Sequence, residues 1–244
     1  TGRYPVRSGM CGFGYRVLFP DSKGGLPQSE ITIARMLKDA GVKVVSVIPT
    51  VELAKRMEQE GADAIVASGT EAGGHVGTIS TMPLVPMVVD AVSVPVIATG
   101  GIGDARGFLA AFALGAQGVQ IGTRFMATTE SDLNEWGMSQ LLAMHETDTI
   151  VSRAMTGSTV RCVMTPELKA YEDARLSGAT KEELSELRKA VVRGRNTDKD
   201  DKRQSAMGQI GGMIDDIRPV GEFIEGMIAE AARLAGDVNA TANA

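Results

Sequence analysis

The sequence predicts an α/β protein built on a parallel sheet. Three observations lead to that class. Apolar, often β-branched runs of strand length recur between Val42 and Ile121. Each is followed by a glycine-containing loop and then by a helical stretch. The units repeat at intervals of roughly 20–30 residues, the spacing of βα crossovers. Such short helices on parallel strands suit a (β/α) barrel or a doubly wound sheet. Both architectures bind ligands beyond the carboxyl ends of their strands.

Residues 1–29 stand apart. They contain six glycines and three prolines, and only Tyr15–Phe19 reads as a strand, so the segment is expected to be irregular. A short helix is expected over Ile31–Ala40, stopped at Gly41. Val42–Ile48 is a β-branched run, read as a buried strand. Thr50 is placed to cap a helix over Val51–Glu60, with Glu52 one turn before Arg56. Ala64–Ala67 is the next strand, followed by a glycine-rich loop and a helix around Leu84–Val92. Pro95–Ala98 is a strand that leads through Thr99-Gly100-Gly101-Ile102-Gly103 into a helix from Asp104 to Leu114. Gly118–Ile121 is the last strand, ending at Gly122-Thr123.

After Glu130 the pattern turns to helix and loop. Pro166 marks a helix start, and Thr180 with Glu183 fits a capping box ahead of Leu184, Leu187 and Val191. Arg193–Arg203 is a mixed-charge linker. Gln204–Gly212 is rich in small residues and reads as close helix packing. Phe223, Ile224, Met227, Ile228 and Leu234 form the apolar face of a terminal helix, with a frayed tail from Val238. The expected division is 1–29, unassigned; 30–129, the βα units; 130–218, a helical region; and 219–244, the terminal helix and tail.

Composition excludes several function classes. The chain has 244 residues, a formal net charge of −5 and 4% aromatic residues. An acidic surface poor in aromatics does not suit nucleic acid. No apolar run reaches the ~18 residues of a membrane span, so no membrane partner is expected. Two cysteines, Cys11 and Cys162, provide no disulfide framework. The expected location is the cytoplasm. No Cys or His pair has metal-ligand spacing, so no metal is expected. Neither a P-loop nor a Gly-x-Ser-x-Gly elbow occurs.

Two places can carry chemistry. In Ser68-Gly69-Thr70-Glu71-Ala72-Gly73-Gly74-His75-Val76-Gly77, a glycine-rich loop presents a histidine directly after a strand. Glycine lets backbone approach a ligand closely, and imidazole titrates near neutrality. A histidine there either catalyses or ties the loop. His145, in a polar stretch, is read as structural. The second place is the pair of strand ends at Gly100-Gly101 and Gly122-Thr123, where backbone N–H groups and a hydroxyl form an anion cradle. A phosphate is the expected ligand.

Glu71-Ala72-Gly73-Gly74-His75, Leu84-Val85-Pro86, Val89-Asp90-Ala91-Val92, Pro95–Ile102 and Gly115–Phe125, in that order and spacing, resemble the nitronate monooxygenases. That family, formerly called 2-nitropropane dioxygenase, includes the FMN-dependent enoyl-acyl-carrier-protein reductases II. Met207-Gly208-Gln209-Ile210 and Asp216-Ile217-Arg218-Pro219 look like its helical substrate-side region, especially that of the reductases. The resemblance implies a TIM-like barrel with a C-terminal helical subdomain and bound FMN. Gly100, Gly101, Gly122 and Thr123 would hold the FMN phosphate, Ala72, Gly73 and Gly74 would lie along the flavin, and His75 would be the active-site base. The substrate would be a small molecule: a nitronate oxidised with O2, or an enoyl thioester reduced with NAD(P)H. The Glu71–His75 string favours the nitronate.

The recognisable strands match only the last four of the family's eight. A closed (β/α)8 barrel takes ~250 residues by itself, whereas about 115 residues here follow Thr129. The chain is therefore expected to be a fragment of such a barrel, or to carry an altered N-terminus. A partial barrel exposes sheet edges, so a homo-oligomer is expected. A non-catalytic remnant of the barrel is the remaining alternative.

Overall fold

Four parallel strands form the larger of two sheets in the computed structural model, which describes residues 38, 40–193 and 206–242. They are β1 (Val45–Ile48), β2 (Ala64–Ser68), β4 (Val96–Thr99) and β5 (Gly118–Gln120), in spatial order β1-β2-β4-β5. Helices α1 (Val51–Gln59), α2 (Thr81–Val89) and α3 (Ala105–Ala113) return the chain between them. This is the βα rhythm expected from the sequence, and the parallel registers are continuous across the sheet.

The period-two alternation of each strand separates core from cavity. Ile48, Ala67 and Ala98 share one register row, and Ile65 and Val96 another. All five are buried against Ala54 of α1, Leu84, Val85 and Val88 of α2, and Ala111 of α3. The alternate positions, Ser68, Thr99 and Gln120, form a polar row on the opposite face. Thr99 Oγ1 donates to Gln120 O at 2.8 Å, which ties the carboxyl ends of β4 and β5 together.

Local capping follows the sequence closely. Thr50 Oγ1 accepts from Leu53 N at the start of α1, and Asp104 accepts from the Arg106 and Gly107 N–H groups at the start of α3. Helix α2 begins three residues earlier than Leu84 and ends at Val89. Its Pro83 lies in the first turn, where the missing N–H breaks no bond. Strand β1 is shorter than the Val42–Ile48 run, because Asp63 engages Val44 through both its carboxylate and its backbone N–H. Nor is β1 buried throughout: Val45 and Val47 are exposed, because they alternate with buried Ile48 and lie on the opposite, cavity face.

The second sheet is antiparallel, in order β3-β7-β6. Strand β3 is the two-residue segment Gly74–His75, and its partners are β7 (Val160–Val163) and β6 (Thr149–Ser152). The region after Thr129 is thus not helix and loop alone, as its pattern implied. It adds a β-ribbon to α5 (Glu135–Leu142), α6 (Pro166–Leu176) and α7 (Lys181–Arg193). The capping box at α7 is formed, with Thr180 N donating to Glu183 Oε2 at 2.8 Å and Glu183 N to Thr180 Oγ1 at 3.3 Å.

Two expectations at the carboxyl end change. The terminal helix, α8 (Val220–Ala242), runs through the tail expected to fray. Arg233 pairs with Asp237 one turn on, and Thr241 donates to Asp237 O, so the last turns are held by their own side chains. The buried face is Phe223, Met227 and Ala231 against Ala105, Phe108 and Leu109 of α3. Ile224 and Ile228 are exposed instead, because the stripe follows i, i+4, i+8 along one line. The expectations for residues 1–29, Tyr15–Phe19 and the 194–203 linker lie outside the described residues, as does most of the Ile31–Ala40 helix.

Candidate functional site

A cavity of about 280 Å³ opens beyond the carboxyl ends of β2, β4 and β5. Its walls come from three consecutive βα loops and from one distant segment. The loop after β2 contributes Glu71, Ala72, Gly73 and His75. The loop after β4 contributes Gly100, Gly101 and Ile102, and the loop after β5 contributes Gly122 and Thr123, the latter opening the short helix α4 (Thr123–Met126). Ser68, Thr99 and Gln120 form the floor. Of the eight residues predicted for the site, seven line this cavity. Gly74 is absent from its lining and instead turns the chain into β3, with φ of 89°.

The glycines at the strand ends are required by geometry. Gly100 and Gly101 have φ of 100° and 72°, in the left-handed region that other residues avoid. A Cβ on Gly100 would also meet Thr81 Oγ1 at 3.0 Å and the Ala72 backbone N at 3.1 Å. Gly122 differs: a Cβ there would meet no atom within 4 Å, so it would project into open space at the cavity wall. The missing side chain leaves room beside Thr123, whose hydroxyl is buried.

The fourth wall reads from its small residues as close packing, while the resemblance sets Met207–Ile210 on the substrate side. Ala206, Gly208 and Ile210 line the cavity, leading into a short 3-10 turn over Gln209–Met213. The segment does pack closely, as its small residues imply. A Cβ on Gly73 would lie 2.7 Å from Ala206 O, and Gly208 N donates to Thr123 Oγ1 at 2.9 Å. Fully buried Met207 anchors it in a cluster with Leu141 and Ala127. Packing and site wall coincide here. The alternation of one large apolar residue with glycines was the signal, but nothing local says which loop it meets.

Two buried arginines near the cavity are held by hydrogen bonds. Arg161 on β7, across from Gly74, donates to Thr70 O at 2.7 Å and to Thr149 Oγ1 at 2.8 Å. Burial pulls its pKa down, opposed by the nearby Glu71 carboxylate. Next to Thr123, the Arg124 guanidinium is buried, donates to Asp216 Oδ1 at 2.9 Å and to Asp216 O at 3.0 Å, and stacks over Phe223. This joins α4 to the entry of α8. His75 is exposed at the mouth, on a strand fixed by its pairing with Val160. His145 lies elsewhere, exposed beside Asp148. Among the described residues no cluster of three or more His, Cys, Asp or Glu could hold a metal. No described helix is long and apolar enough to cross a membrane.

Comparison with known proteins decides the family. The nitronate monooxygenase family model matches residues 23–230. The chain belongs to the nitronate monooxygenase family. A probable nitronate monooxygenase of Staphylococcus aureus (strain MSSA476) is 39% identical over 182 residues, which cover 69% of this chain and 51% of that protein. The chain therefore spans about half the length of the curated relatives it matches. Among solved structures, FabK from Thermotoga maritima aligns with a TM-score of 0.74 and 38% identity, over 85% of this chain and 66% of that one. A nitroalkane oxidase from Streptomyces ansochromogenes aligns with a TM-score of 0.67 and 32% identity, over 84% and 62%. The parallel sheet and its helices correspond to part of the barrel of these nitronate monooxygenase relatives.

Proposed function

We propose that this chain carries the flavin-phosphate side of an FMN-dependent oxidoreductase of the nitronate monooxygenase type, with His75 as the active-site base. The observation that carries the reading is the convergence of two glycine-bearing strand ends and a histidine loop on one cavity. The residues present fit FMN. Gly100 and Gly101 turn with positive φ, Gly122 leaves the cradle open, and Thr123 adds a hydroxyl. Backbone amides at such turns and a helix start attract a phosphate.

In this reading Gly100, Gly101, Gly122 and Thr123 hold the phosphate, and Ala72, Gly73 and Gly74 lie along the ring. FMN, when bound, supplies the two-electron chemistry. The protein's part is placement and proton handling. His75 stands at the cavity mouth, where its imidazole receives a proton from the substrate or holds a substrate oxygen by a hydrogen bond. The walls at Ala206, Gly208 and Ile210 limit water at the inner end.

The preferred reaction is oxidation of a nitronate by O2. The likeness to FabK favours the second reading, reduction of an enoyl thioester by NAD(P)H. One preparation tests both. The purified protein is expected to be yellow and to consume oxygen with a nitronate. Turnover with NADH and a crotonyl thioester alone transfers the assignment to the reductase. A colourless protein that binds no added FMN overturns both and leaves a non-catalytic remnant. His75→Ala is expected to lower turnover by about 100-fold or more while FMN stays bound. Unchanged activity in that variant removes His75 from the mechanism.

A further inference from the structure

We propose that Glu71 is a positioning residue that holds three cavity walls in register, using its carboxylate for one and its own backbone carbonyl for another. The proposal deepens the FMN reading of the cavity and rests on it for the binding result below. Both carboxylate oxygens accept from the Thr81 N–H, at 3.1 and 2.9 Å, and Oε2 lies 2.9 Å from Thr81 Oγ1. Thr81 Oγ1 in turn lies 3.0 Å from Gly100 O, on the turn assigned to the phosphate. On the other side, Glu71 O accepts from Gln209 N at 3.0 Å. One residue thus connects its own loop to the Gly100 turn through Thr81 and to the 206–210 wall directly.

Three further observations separate this from an incidental surface contact. Ser80, the N-cap residue of α2, makes no side-chain capping bond. Glu71 takes over that task from another loop, placing a carboxylate at the positive end of the helix. The surroundings also leave no slack. A Cβ on Gly69 would lie 1.9 Å from Thr81 Oγ1 and 2.6 Å from Glu71 Oε2, and one on Gly208 would lie 2.7 Å from Glu71 O. Finally, Thr81 has a single hydroxyl proton facing two acceptors, Glu71 Oε2 and Gly100 O. A glutamine at position 71 would accept from the Thr81 N–H and donate to Thr81 Oγ1, releasing that proton for Gly100 O. Neutral glutamine therefore keeps most of the side-chain joint, whereas alanine removes it and leaves the carbonyl bond to Gln209 on a loop no longer tied to Thr81.

The test uses amide hydrogen exchange, which needs no ligand, together with FMN affinity measured by quenching of flavin fluorescence. Glu71→Ala is expected to speed exchange at Thr81 and at Gln209 and to weaken FMN binding, each by about tenfold. Glu71→Gln is expected to stay within about threefold of wild type in both, because one acceptor for the Thr81 N–H and the bond to Thr81 Oγ1 remain, while the second acceptor and the charge are lost. Acceleration at Thr81 alone, with Gln209 and FMN affinity unchanged, overturns the proposal. So does a Glu71→Gln variant as damaged as Glu71→Ala. Thr81→Val keeps the N–H contact and provides a folded variant if Glu71→Ala does not fold. It is expected to weaken FMN binding without speeding exchange at Gln209, and unchanged FMN affinity counts against the joint. Wild-type protein that binds no FMN overturns the function proposed above, while the exchange data still judge Glu71.

Discussion

At the scale of single residues, Gly100 is constrained twice, by backbone conformation and by space. Its φ of 100° and the backbone N of Ala72 at 3.1 Å from a hypothetical Cβ leave an L side chain no relaxed alternative. Gly100→Ala is expected to destabilise the fold by about 2 kcal/mol, the left-handed penalty plus some displacement of neighbours. The midpoint of urea unfolding measures this. FMN affinity should fall as well, since the turn would have to move. Gly122 is the control, because a Cβ there meets nothing in the protein. Gly122→Ala is expected to unfold like wild type, and a shared stability loss would show that backbone conformation rather than space governs this loop.

At the scale of elements, capping explains where helices start and predicts how one of them responds to acid. Burial opposes ionisation of Asp104, but hydrogen bonds from Arg106 and from the Arg106 and Gly107 backbone N–H groups hold its pKa below the ordinary 3.8. A depressed carboxylate stabilises the fold above its unfolded value and loses that contribution as pH falls through the folded one. The loss therefore belongs below about pH 4, at the start of α3. Asp104→Asn still caps but does not titrate there. It is expected to flatten the fall in stability below about pH 4, where the contribution of Asp104 is lost, as followed by thermal unfolding. An identical fall in both proteins assigns the acid sensitivity elsewhere. The caps at Thr50 and Thr180 were legible in the sequence, since each acts on a residue three positions away, whereas Asp104 reads there only as the first residue of its helix. The apolar face of α8 was not fully legible. Periodicity allowed a stripe through Ile224 and Ile228, but contact with α3 selected Phe223, Met227 and Ala231.

At the scale of the molecule, the parallel sheet is open among the described residues. Strand β1 has only β2 beside it, and β5 only β4. Val45 is 52% exposed at the β1 edge. Unpaired strand edges beside apolar side chains promote association. We expect the isolated chain to self-associate, measured by sedimentation across a concentration series. Val45→Lys is expected to shift the distribution toward monomer, as charged residues do on natural edges. A monomer at all concentrations would mean that this edge is already covered.

Order along the chain determined the βα rhythm, the helix caps and the glycine-bearing strand ends. Those features depend on neighbours a few residues apart, through alternation, capping and positive φ. The motif string through His75 and the turns at Gly100 and Gly122 were legible for the same reason. Only the tertiary structure decided that Ala206, Gly208 and Ile210 close the cavity, and that Gly74–His75 joins a second sheet through Val160 and Arg161. Gly208 meets Thr123 across 85 positions of sequence, and Arg161 meets Thr70 across 91. Periodicity and capping carry no information over such distances. The packing of Met207 and the backbone hydrogen bonds of the folded chain bring these residues together.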